Sequence, residues 1–82
     1  MLERINSAIE NQDTMMIDLS VNNTFHTHIE LTPEDVEETD DSIIIYGTNG
    51  QVFEFNTNKL FVGAEDYYVE GDYSERAIIY FA

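Results

Sequence analysis

Eighty-two residues carry 17 Asp and Glu against three Lys and Arg, a net charge of −14 that repels nucleic acid and anionic membrane and draws cationic partners. The chain has no Cys, which excludes disulfide frameworks and thiolate metal sites, and no apolar run reaches the roughly 18–20 residues of a membrane span. A 43% hydrophobic and 12% aromatic content separates it from acidic disordered segments, so the expectation is one folded domain over residues 1–82, soluble and cytoplasmic, with an acidic surface.

Leu2, Ile5, Ala8 and Ile9 recur at helical spacing, and Asn11 with Asp13 supplies a stop, which predicts a short amphipathic helix over residues 2–11 docked on a sheet. From Thr14 the period changes to two. Met15, Ile17, Leu19 and Val21 alternate with polar residues, and beyond Asn22-Asn23 so do Phe25, Thr27, Ile29 and Leu31. A plain two-residue turn there mixes core and surface faces. A three-residue connection or a bulge, with Asn23 left-handed, restores agreement and sets Leu19 opposite Phe25 and Asp18 opposite His26.

Thr32-Pro33 reads as the end of that strand, and the acidic run Glu34 to Asp41 as one helical turn followed by solvent. Ile43–Tyr46 and Val52–Phe55 then flank Asn49-Gly50, the strongest short hairpin signal. A two-residue turn places Tyr46 opposite Phe53 and Ile44 opposite Phe55, so Ile44, Tyr46, Phe53 and Phe55 form the expected core face. Ile43, Ile45 and Val52 share the other face with Glu54 and Asn56 and need a cover, either the C-terminal strand or a partner. Leu60–Val62, Tyr67–Glu70 and Ala77–Phe81 are the remaining strands. The expected fold is α+β: a short N-terminal helix packed on a strongly bent, mostly antiparallel sheet of five or six strands, with a small open barrel as its closed variant.

The sharpest local chemistry is His26-x-His28-x-Glu30. Alternate strand residues point the same way, so two imidazoles and a carboxylate, with Asp18 opposite, are a candidate divalent-metal site. The competing reading is the polar face of a half-exposed strand. Ser7, Ser20, Ser42 and Ser74 lack a nucleophile context, Lys59 is the single lysine, and no phosphate-cradling Gly loop is present, so the chain is not expected to be an enzyme or to hold a cofactor. The run Asp35 to Asp41 lacks the Gly of a calcium loop.

The carboxylates are the principal candidates for function. On an extended segment, side chains at i and i+2 lie roughly 6.5 Å apart, comparable with successive phosphates on a nucleic-acid strand. One cluster is Glu34, Asp35, Glu37, Glu38, Asp40 and Asp41. The other is Glu65, Asp66, Glu70, Asp72 and Glu75, interleaved with Tyr67 and Tyr73, which supply apolar contact area beside the charge.

In size, acidity and absence of Cys and Trp the chain resembles phage-encoded inhibitors that mimic DNA, of the anti-CRISPR, anti-restriction and uracil-DNA glycosylase inhibitor types. The resemblance implies a cytoplasmic inhibitor that presents carboxylates to the groove of a basic nucleic-acid-binding protein, such as a nuclease or a CRISPR or restriction effector. It implies no direct contact with nucleic acid or membrane. The helix-then-strands order resembles Sm-like barrels, but no Sm motif is present and the charge discourages RNA. The reading of another class is an assembly module, a homodimer or hetero-oligomer subunit whose partner covers Ile43, Ile45 and Val52. Under any of these readings, mutual repulsion of the carboxylates predicts a melting temperature that rises with added salt; a calorimetric series across ionic strength checks it.

Overall fold

In the computed structural model, which describes residues 1–82, α1 spans Leu2–Asn11 and ends where periodicity predicts. Gln12 adopts a left-handed conformation (φ 58°). Its N–H donates to Ile9 O at 3.4 Å, and the Asp13 N–H donates to Ala8 O at 2.9 Å. These two bonds satisfy carbonyls that the helix end leaves open. The apolar stripe buries Ile5 and Ala8 completely. Arg4 stacks on the Phe81 ring at 4.2 Å and pairs with Asp13 at 3.5 Å, tying the helix to the C-terminal strand.

Eight strands follow: β1 Met15–Val21, β2 Phe25–Leu31, β3 Pro33–Glu38, β4 Ser42–Gly47, β5 Val52–Asn56, β6 Leu60–Val62, β7 Tyr67–Glu70 and β8 Glu75–Phe81, with a 3-10 turn at Thr57–Lys59. They form two antiparallel sheets, one ordered β2-β1-β8-β7-β6 and the other β3-β4-β5. The fold is α+β, and neither sheet closes into a barrel. β8 pairs with β1 and β7, not with the central hairpin. The chain enters the three-stranded sheet through the single residue Thr32, whose carbonyl accepts the Thr48 N–H at 3.0 Å, and returns to the five-stranded sheet through the 3-10 turn.

Three expectations need correction. The first concerns the β1–β2 turn, where Asn22 and Asn23 are both left-handed (φ 53° and 55°). The Thr24 N–H donates to Val21 O, and the extra residue sets Val21 opposite Phe25. The faces are as expected, but pairing is displaced by two, so Asp18 stands opposite His28 and Leu19 opposite Thr27.

The second concerns the acidic run, where residues 33–38 are strand and not a helical turn. Local capping signals yield because β4, with Ile43 and Ile45 buried, needs backbone partners on both sides, and β3 supplies one of them. Pro33 takes the first position of this edge strand, where its missing N–H costs nothing, and a register shift follows between Pro33 and Asp35.

The third is the Asn-Gly hairpin. The loop comprises Thr48, Asn49 and Gly50, with Gly50 left-handed (φ 78°) and the Gly47 N–H donating to Gln51 O at 2.8 Å. Pairing therefore runs Ile43 to Phe55, Ile44 to Glu54, Ile45 to Phe53 and Tyr46 to Val52. A one-residue change in register exchanges the faces of one strand relative to the other. Ile43, Ile45 and Phe55 are buried, while Ile44 and Tyr46 face outward with Val52, which is 59% exposed. Ile43 and Ile45 therefore need no partner protein. The cover is internal: they share one buried cluster with Ile5, Met15, Ile17, Leu31, Ala77 and Ile79.

Gly47 sits where the hairpin tip meets β2, and a Cβ there would lie 2.9 Å from Leu31 Cγ. The corrected register gives a direct test by denaturant unfolding. Ile45→Ala should cost about 2–5 kcal/mol, and Val52→Ala should stay within about 0.5 kcal/mol of the parent.

Candidate functional site

Because β3, β4 and β5 are paired in this register, strand alternation sorts their side chains onto two faces. The outer face carries the rung Asp35–Tyr46–Val52 and, next to it, Glu37–Ile44–Glu54. Glu34 and Glu38 flank them on the same edge strand, and Asp40 and Asp41 occupy the turn into β4. The carboxylates are steadied by neutral donors. The Tyr46 hydroxyl donates to Glu37 Oε2 at 3.2 Å, the Ser42 hydroxyl to Glu54 Oε2 at 3.3 Å, and the Val36 N–H to Asp35 Oδ1 at 2.9 Å. Thr39 binds across the turn to Ser42, Oγ1 to Oγ at 2.7 Å. Tyr46 reports the resulting field, since its pKa is raised first by loss of water and then by Glu37, Asp35 and Glu54.

No cation reaches this surface. The three basic side chains pair elsewhere: Arg4 with Asp13, Lys59 with Asp72 at 2.7 Å, and Arg76 with Glu70 at 2.8 Å. Glu54 belongs to the acidic surface although sequence reasoning placed it on another face. No local signal could have found it, because Gly50 ends the loop in a two-residue turn and in a three-residue connection alike.

The second predicted cluster divides. Glu70 and Asp72 are neutralised by their partners. Tyr67 turns inward, packs against the core and meets Phe81 edge-on at 6.5 Å, so its role is structural. Tyr73 is 83% exposed at the tip of the β7–β8 turn, where its N–H donates to Glu75 Oε2 at 2.7 Å. Glu65 and Asp66 lie in the β6–β7 connection. The Asp66 carboxylate, hydrogen-bonded to the Tyr68 hydroxyl, holds that phenol above its usual value.

The outer face of the five-stranded sheet holds the imidazoles. His28 Nδ1 lies 2.5 Å from Asp18 Oδ1, and Nε2 lies 3.9 Å from Glu30 Oε1. His26 stands on the neighbouring rung opposite Ser20. No three His or carboxylate side chains converge on a point that an ion could occupy, so His26, His28 and Glu30 do not form the predicted site. His26 and His28 line an open polar trough of about 820 Å³ together with Asp18, Arg76 and the asparagines of the β1–β2 turn. That turn is fastened to the β7–β8 turn by the Asn22 N–H donating to Ser74 O at 2.9 Å. Comparisons with protein-family models, curated proteins and solved structures return no significant match. No helix is long and apolar enough to cross a membrane.

The hydrogen bond that His28 Nδ1 donates to the Asp18 carboxylate is the largest influence on the imidazole and raises its pKa above the ordinary 6.5. A folded value above the unfolded one means that the stabilisation is fully present below pH 6.5 and is lost as pH rises through the folded value. In an NMR titration of the imidazole signals, His28 should titrate above 6.5, and Asp18→Asn should return it towards that value.

Proposed function

We propose that this chain is a non-enzymatic inhibitor that occupies the basic groove of a nucleic-acid-handling protein with the outer face of β3-β4-β5. The observation that carries the reading is the uncompensated array of Asp35, Glu37 and Glu54 on one hydrogen-bonded sheet face, with exposed Asp40 and Asp41 in the turn beside it and Glu34 and Glu38 at the alternate positions of the same edge strand. Asp35 and Glu37 are about 7 Å apart along the strand, and Glu37 and Glu54 about 10 Å apart across two strand spacings. These intervals match the scale on which Arg and Lys side chains grip a phosphate backbone.

A sheet suits the task better than a loop would. Ladder hydrogen bonds hold the carboxylates in place before binding, so less ordering entropy opposes association. Ile44, Tyr46 and Val52 lie among the acids and offer apolar contact that a nucleic acid backbone lacks. Neutral hydroxyl and amide donors, instead of Lys or Arg, orient the carboxylates and leave their charge available to a partner. Glu65, Asp66 and Glu75 extend the acidic field on the other sheet.

The test is competition against a fluorescent DNA duplex for a panel of purified nucleases and DNA-binding proteins. A target should be released from the duplex by this chain, with affinity falling steeply between about 0.1 and 0.5 M salt. The triple variant Asp35→Asn, Glu37→Gln, Glu54→Gln should weaken that binding by about tenfold or more. Binding indifferent to both salt and the triple variant overturns the reading.

A further inference from the structure

The free sheet edges of this molecule are unlike one another. β6 has three residues, and β5 has five before it turns into the 3-10 helix. β3 opens on Pro33, shifts register at once, carries Glu34, Asp35, Glu37 and Glu38, and packs on α1. Shortness, proline, irregular register, charge and a covering helix are the devices that stop an edge from adding strands. β2 has none of them along residues 25–29, its one carboxylate being Glu30 beyond that stretch. It is the outermost strand of the five-stranded sheet, seven residues in unbroken register with β1, without Pro or Lys, and exposed from Phe25 to His28.

Antiparallel pairing directs the N–H and C=O of alternate residues to opposite neighbours. The Glu30 carbonyl accepts from Gln51 Nε2 at 3.1 Å and so points away from β1. His26 and His28, of the same parity, therefore offer their backbone groups to the free edge. Gln51 closes the edge at Glu30 and leaves residues 25–29 open.

We propose that this open edge binds a second copy of the chain, β2 against β2 and antiparallel, across a two-fold axis at Thr27. In that register the five open residues pair with themselves: Phe25 of one copy faces Ile29 of the other, Thr27 faces Thr27, and the backbone groups of His26 exchange hydrogen bonds with those of His28. Aromatic with β-branched and Thr with Thr are favoured cross-strand pairs. This self-complementarity argues for a second copy over an unrelated strand. A two-fold axis at His28 would instead drive the added strand into Gln51. Pairing also covers Phe25, which is 72% exposed in the single chain. The contact is small and isologous, and two copies at −14 each repel, so the dimer forms at high concentration and strengthens as salt screens that repulsion.

Sedimentation equilibrium from about 10 µM to 1 mM, at about 0.1 and 0.5 M NaCl, should show a dimer fraction that rises with both variables. Thr27→Cys places the only thiol of the chain on the axis, in a closely spaced pair with Cα atoms about 4.5 Å apart, within disulfide range. Mild oxidation should link it at least about tenfold faster than Tyr73→Cys, an equally accessible thiol off the axis. His26→Pro deletes an edge N–H without removing a bond to β1, so the variant should fold and stay monomeric. A monomer at the highest concentration and salt, equal cross-linking of the two thiols, or a folded His26→Pro that still dimerises overturns the proposal. Should His26→Pro fail to fold, the thiol comparison decides.

Discussion

The burial of Ile45 at the centre of the three-stranded sheet is the constraint on which the rest of the molecule depends. Its side chain is fully enclosed, with Val36 and Phe53 beside it in its own sheet and Ile17 and Ile79 of the other sheet in the same cluster. Only ten hydrophobic side chains are buried in the whole chain, so a register that exposed Ile43 and Ile45 would remove a fifth of them. With Ile45 inward, the loop must take three residues, Gly47 must come close to Leu31, and a strand must pair with β4 on its far side. The same choice turns Ile44, Tyr46 and Glu54 outward. The acidic face is thus a consequence of core packing, since the residues that expose it and the residues that bury the core alternate along the same strands.

The elements with strong period were legible from residues alone: α1, β1, β2, both strands of the hairpin and the last three strands. What escaped was pairing. The Asn-Gly pair admits a two-residue turn or a three-residue loop with Gly in the left-handed place, and only the packing of Ile43 and Ile45 against the other sheet separates them. The acidic run concealed a strand because its signals were read locally. Pro33 and the acids after it suit a helix start as well as an edge strand, and what selects the strand is the unmet hydrogen bonding of β4, a long-range demand with no trace in residues 33–38. The candidate site was legible in part. The first acidic cluster is exposed throughout, but strand alternation puts only Asp35 and Glu37 of its strand residues on the outer face. Tyr67, Glu70 and Asp72 of the second are occupied by core contacts and ion pairs. Glu54 joined the array only once the register was known.

Charge is distributed unevenly over this framework. Arg76 and Lys59 neutralise carboxylates at the β7–β8 end, Arg4 works at the helix, and His28 shares its proton-binding nitrogens with Asp18 and Glu30. The five-stranded sheet therefore presents a mixed, largely self-satisfied polar surface. The three-stranded sheet presents carboxylates held only by hydroxyls and backbone N–H groups. Self-repulsion on that face opposes folding, and the apolar cluster beneath it offsets the cost. A core of this size leaves little margin for that cost.

The two proposed surfaces are compatible because they use different elements and different forces. As proposed, the β2 edge would work through backbone hydrogen bonds and short-range side-chain pairs, which added salt favours, and the face of β3-β4-β5 through long-range charge, which added salt weakens. Thr32 joins β2 directly to β3, so an added strand at β2 would fix the direction in which both acidic faces of a dimer point. Gln51 belongs to both arrangements: it ends the hairpin loop that sets the acidic face, and its side chain marks where the open edge stops. One hairpin loop therefore determines which carboxylates the outer face exposes and which five residues of the β2 edge stay open.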